Sequence, residues 1–198
     1  MPNSASIVVG VVEELWRYPV KSMLGERLSA TEVVESGLLG DRAYALRDVS
    51  DGKIATAKNP RKWPNLFHYR AALAGPDFAA ENVPPARITL PDGSTISTEQ
   101  PYAARILSAA LKREVRLERV KRSNPDATAS NQETSEEYWL DMEGLDHPDT
   151  VTDFNLPAGT FFDTAIVHIL TTATLDRLHD FYPSGRFCGP EIPARHRG

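Results

Sequence analysis

Proline and glycine cut this chain into short pieces, and that segmentation limits the folds open to it. The 198 residues include 15 prolines and 12 glycines; the proline share exceeds the usual value of about 5% and predicts many turns and short elements. Residues 7–17 read as a strand, because Ile7, Val8, Val9, Val11 and Val12 are β-branched and Trp16 ends the run. Pro19 stops it, and residues 21–26 supply a loop with a glycine turn. Residues 28–34 form a second strand candidate closed by Gly37 and Gly40, and 42–47 a third. The turn Ser50-Asp51-Gly52 then leads into a return strand over 53–57. After the break at Asn59-Pro60, residues 66–73 are apolar again, and Pro91-Asp92-Gly93 joins Ile88-Thr89-Leu90 to Ser94-Thr95-Ile96 as a hairpin. Short strands at such close spacing favour a barrel or sandwich.

The period then changes. Tyr102, Ile106, Leu107 and Leu111 recur at helical spacing, with Glu99 in the opening turn and Lys112-Arg113 in the last. Val115, Leu117 and Val120 alternate with charged residues as another strand. Residues 121–160 are the poorest in periodicity and read as an irregular linker. Residues 165–170 read as a strand, after which Thr171 or Thr172 can cap a helix carrying Leu175, Leu178 and Phe181, with Gly185 at its stop. The fold class expected is mainly β with α.

Composition narrows the function classes. With 41% hydrophobic and 25% charged residues the chain can bury a core, and the net charge of -5 argues against bulk electrostatic binding to nucleic acid. No secretory signal or membrane-length apolar run is visible. One cysteine excludes an internal disulfide framework or a multi-cysteine metal cage, and fits a reducing, cytoplasmic setting.

Lys21 and Ser22 lie between a strand and a glycine turn, and Arg42 heads a strand after Gly37-Leu38-Leu39-Gly40-Asp41. An ammonium, a hydroxyl and a guanidinium make a good phosphate cradle, combining point charge, hydrogen bonding and bidentate geometry. Thr171-Thr172, opening a helix, adds free backbone N–H groups. Taken alone these residues read more readily as ordinary solvated loop residues, because so short a match is weak. Lys58, Arg61 and Lys62 with Trp63 and Phe67 form a basic-aromatic stretch that can meet an anion or be a solvated turn with a buried aromatic; the second is favoured. Asp141, Glu143, Asp146, His147, Asp149 and Asp153 lack the spacing of a calcium loop and read as a solvated acidic loop, so no metal ligands are assigned. His168 reads as a core histidine, and nothing marks Cys188 as a nucleophile.

The segments Leu15-Trp16-Arg17-Tyr18-Pro19-Val20-Lys21-Ser22-Met23-Leu24-Gly25 and Gly37-Leu38-Leu39-Gly40-Asp41-Arg42-Ala43-Tyr44 closely resemble the MOSC N-terminal β-barrel family, which includes the YcbX-like proteins and the mitochondrial amidoxime-reducing components. Ala55-Thr56-Ala57-Lys58 resembles the family's next block. Phe162-Asp163-Thr164, with the stretch from Val167 to Leu175, resembles the opening of a MOSC domain. The resemblance implies an N-terminal barrel over 7–120, a linker over 121–160 and the first strand and helix of an incomplete MOSC barrel over 161–187. It implies molybdenum cofactor (molybdopterin), with the pterin phosphate held by Lys21, Ser22 and Arg42, and by Thr171 and Thr172. The implied chemistry is reduction of N-hydroxylated compounds, or sulfur transfer in distant relatives, with a small-molecule substrate and a redox partner.

The resemblance also implies a molybdenum-ligating cysteine well downstream of the Gly185-Arg186-Phe187 stretch. Residues 188–198 depart from the family and read as an atypical tail. One set of codons compatible with Pro190 to Gly198, read one base later, would encode Arg-Arg-Phe-Arg-Pro-Ala-Ile-Val, the strand the resemblance implies there, so a frameshift is the explanation advanced, with Cys188 not the metal ligand. The C-terminal part is then expected to be marginally stable with an uncovered apolar face. The alternative function is a non-catalytic remnant, or a barrel that binds substrate or partner.

Overall fold

A computed structural model describes residues 8–75, 82–120, 133–140, 149–157 and 160–185. In chain order the elements are β1 (Leu15–Arg17), β2 (Glu26–Leu28), β3 (Val33–Val34), β4 (Gly37–Leu38), β5 (Tyr44–Asp48), β6 (Arg70–Leu73), β7 (Ala86–Thr89), β8 (Thr95–Ser97), α1 (Ala103–Leu111), β9 (Val115–Arg119), β10 (Thr134–Trp139), β11 (Thr150–Asn155) and α2 (Thr172–Phe181). The chain is mainly β with two helices among the described residues, as the sequence predicts.

Strand β5 is the keel. It pairs antiparallel with β9, Leu46 opposite Leu117, and both its faces are covered. Tyr44 and Leu46 point into the main core with Val20, Met23, Trp63, Leu66, Tyr69, Ile88 and Leu107. Ala45, one residue out of phase, joins Ile54, Leu156 and Phe161 on the other face. Period-two alternation therefore serves two apolar layers from one strand. Each large side chain fully buried here contributes roughly 1.5–3 kcal/mol.

Isolated bridges extend the strands around a curve. Val20 bridges Tyr44 of β5 in parallel, Leu24 bridges Arg70 of β6, and Ile54 bridges both Arg47 of β5 and Ser135 of β10. Strands β6, β7 and β8 follow as an antiparallel sheet. Its hairpin turn works as read from Pro91-Asp92-Gly93: Asp92 Oδ1 accepts the Ser94 amide at 2.8 Å, and Gly93 takes a φ of +87°. Helix α1 packs Ala103 and Leu107 inward and ends on Lys112 in the left-handed region, whose amide bonds back into the last turn.

Several elements differ from expectation. Only residues 15–17 of the 7–17 run form a strand; Val8, Val9, Val11 and Val12 are exposed, and Ile7 lies outside the described residues. β-branching favours a pleated surface but needs a partner, and none pairs with 8–14 among the described residues. The 28–34 candidate splits at a turn into the end of β2 and the start of the short β3–β4 pair. The return strand over 53–57 reduces to the bridges of Ile54. Within 121–160, where the sequence reads as irregular, β10 and β11 pair in register from Thr134 opposite Asn155 to Trp139 opposite Thr150. Their faces carry charged residues in ion pairs, which hides the alternation: Glu136 and Asp153 both meet Lys53. Residues 165–170 form no strand, and their apolar side chains are exposed. His168 is accordingly exposed as well, not a core histidine. Cys188 and the 188–198 tail lie outside the described residues. No described helix is long and apolar enough to cross a membrane.

Candidate functional site

Residues 18–21 run alongside 42–44. The Arg42 amide donates to Tyr18 O at 2.8 Å, the Tyr44 amide to Pro19 O at 3.0 Å, and the Lys21 amide to Tyr44 O at 2.9 Å. This ladder fixes Lys21 and Arg42 on neighbouring segments, at the seam where the chain passes from the β5 bridge of Val20 to the β6 bridge of Leu24.

The backbone is strained at this seam. Three described non-glycine residues have positive φ: Ser22 at 63°, Arg42 at 44° and Lys112 at 54°. Lys112 is a helix terminus. Ser22 and Arg42 are not, and such conformations cost of order 1–3 kcal/mol and gather at binding sites. Ser22 Oγ accepts the Ala57 amide at 3.0 Å, which ties the loop before Lys58 to the seam while the hydroxyl can still donate.

One short segment, 161–163, spans the cations. The buried Lys21 ammonium donates to Phe161 O at 2.9 Å and to Asp163 Oδ1. The Arg42 guanidinium stacks 5.1 Å from the ring centroids of both Phe162 and Tyr18, and pairs with Asp41. Lys58 Nζ lies 3.6 Å from Asp163 Oδ2 and 3.6 Å from Glu137, over the Phe154 ring. Burial pulls the Lys21 ammonium below its ordinary pKa; the Asp163 carboxylate opposes that, whereas Arg42 and Lys58 add to it. Burial likewise raises Asp41, against the pull of Arg42, and raises Tyr18.

Lys21, Ser22 and Arg42 thus share one seam. Thr171 lies elsewhere in its interactions: its Oγ1 accepts the Thr174 amide at 3.1 Å as the N-cap of α2, and Thr172 is the first helical residue. No hydrogen bond, ion pair or ring contact joins either to Lys21, Ser22 or Arg42 among the described residues. The basic-aromatic stretch divides. Trp63 is in the core, Lys62 pairs with Asp48, Asp51 and Glu136, Arg61 pairs with Asp149, and Phe67 is exposed. Lys58 alone joins the seam, together with Asp163, a residue sequence reasoning used only as part of a motif. Its 142-residue separation from Lys21 gives no local signal. Among the described residues no three His, Cys, Asp or Glu side chains converge as a metal site.

A small curved β module with a cation-lined seam is the class this arrangement defines. The model of the MOSC N-terminal beta barrel domain matches residues 9–154, and the chain belongs to that family. The matched residues run through β10 and into β11. The chain matches none of the curated proteins and none of the solved structures compared with it.

Proposed function

We propose that this chain takes part in molybdenum-cofactor chemistry of the MOSC type, holding the phosphate of the pterin at Lys21, Ser22 and Arg42 for an oxidoreductase acting on N-hydroxylated compounds. The observation that supports the reading is the strained seam, where Lys21, Ser22 and Arg42 lie on adjacent, hydrogen-bonded segments. The donor set suits a phosphate monoester: Arg42 presents a planar fork, Lys21 a point charge and Ser22 an O–H donor. When bound, the cofactor supplies the two-electron reduction; the chain's own residues anchor and orient it and neutralise its phosphate charge. The metal-ligand thiol has no counterpart among the described residues, since Cys188 is the single cysteine. A cytoplasmic setting, a small-molecule substrate and a redox partner belong to the same reading.

The second reading is a barrel that binds an anion or a partner without redox chemistry. It is favoured by residues 165–170, which leave Ile169 and Leu170 exposed where a sheet is expected. Metal analysis of the purified chain separates the two. Molybdenum near one per chain, lost in Lys21→Met and Arg42→Ala, supports the first; protein that is folded but free of molybdenum after expression with cofactor supply supports the second.

A further inference from the structure

Asp163 stands where an anion would stand. Its two oxygens face two different ammonium groups, Oδ1 on Lys21 and Oδ2 3.6 Å from Lys58. Phe162, next to it, lies under Arg42. The exposure is graded: the Lys21 side chain is 4% accessible, Arg42 24%, Asp163 30% and Lys58 38%. The carboxylate is therefore the more exposed partner of a nearly enclosed ammonium.

Charge chemistry explains why a residue is needed there. A buried ammonium beside two further cations is costly unless a counter-ion sits against it. Asp163 meets that need without a ligand, but a carboxylate carries one charge and two oxygens. A phosphate monoester carries nearly two charges and three peripheral oxygens, enough to engage Lys21, Lys58 and Arg42 together. Both cannot occupy the same contacts.

We propose that Asp163 is a built-in competitor for the anion site, that Lys58 is the site's third cation, and that a phosphate group enters by displacing the Asp163 carboxylate from Lys21 and Lys58. The 161–163 segment is then a latch, closed by its own carboxylate and released when the site fills. This rests on the phosphate-site reading above and adds its control.

The experiment is calorimetric titration of inorganic phosphate into the full chain and its variants at constant ionic strength. Asp163→Asn keeps the shape and removes the charge, and is expected to bind phosphate at least about tenfold more tightly than the unmodified chain. Adding Lys58→Gln to Asp163→Asn is expected to reverse much of that gain. Adding Lys21→Met or Arg42→Ala is expected to abolish binding. Binding that depends on Lys21 and Arg42, yet is no tighter in Asp163→Asn, overturns the latch and leaves the phosphate site standing. Binding indifferent to Lys21 and Arg42, or absent throughout, overturns the phosphate site and the latch with it. Should Asp163→Asn fail to fold, hydrogen exchange on the unmodified chain decides the question. Saturating phosphate is expected to speed exchange at the Phe162 amide, which bonds Thr160 Oγ1 at 3.3 Å when the latch is closed; unchanged or slower exchange there overturns the proposal.

Discussion

Residues 15–119 and residues 164–185 handle apolar side chains in opposite ways. In the first stretch, strands of two to five residues would be negligible alone, yet β5 is buried on both faces and Leu46, Ile88 and Leu107 are fully enclosed. In the second, α2 is a longer and better-capped element, and none of its residues is buried. Local helix quality and tertiary stability are thus separate properties. A capped ten-residue helix is marginal in water without an apolar face to pack on, whereas a five-residue strand becomes the centre of a core once Val20, Ile54 and β9 flank it.

The sharpest attempt to break this contrast is a pair of leucine truncations. Leu46→Ala removes a side chain from the main core and should cost about 2–5 kcal/mol in denaturant unfolding. Leu178→Ala, on half-exposed α2, should change the same midpoint by less than about 0.5 kcal/mol. Equal costs would mean that the two stretches unfold as one unit.

A smaller effect is expected where the stretches touch. Gly37 has a φ of +104°, and a Cβ added there would lie 2.7 Å from Ile166 O. Gly37→Ala combines backbone strain with displacement of the passing segment, so a loss of about 1–2 kcal/mol is expected. Hydrogen exchange should accelerate at residues 165–168 as well as at the β3–β4 turn. Acceleration confined to the turn would show that the Ile166 contact contributes nothing to order in the C-terminal stretch.

What the sequence revealed follows the same division. Signals that are local and chemically forced were legible: the Pro91-Asp92-Gly93 turn, the helical period ending at Lys112, and Thr171 as a cap. Lys21, Ser22 and Arg42 stood out by residue chemistry and were favoured only through motif likeness, because their adjacency depends on a parallel bridge between Val20 and Tyr44. Three things were not legible. Ion pairs such as Lys53 with Glu136 and Asp153 gave β10 and β11 a polar, aperiodic appearance. The valines at 8–12 and the apolar run at 165–170 looked like strands because β-propensity records what a residue suits, not whether a neighbour exists. The role of Asp163 depends on a fold-wide contact with Lys21 that no sequence window spans.

The smallest expected effect tests whether α2 has any stability of its own. Thr171 Oγ1 accepts the Thr174 amide at 3.1 Å, a donor it shares with the Thr171 carbonyl at 3.0 Å in the first turn of the helix. Thr171→Ala removes that acceptor and should destabilise the helix by about 1 kcal/mol, whereas Thr171→Asp, which keeps an acceptor and adds favourable charge at the positive helix end, should not. Because α2 buries nothing, the loss should stay local. Amide exchange across 174–178 should quicken roughly fivefold in Thr171→Ala, with exchange in β5 and β9 unchanged and the global midpoint unmoved. A lowered midpoint would place α2 inside the barrel's cooperative unit. No change in α2 exchange would mean that the cap closes a turn already open most of the time, and that the order in 164–185 comes from the anchoring of Phe161 and Asp163 at its head.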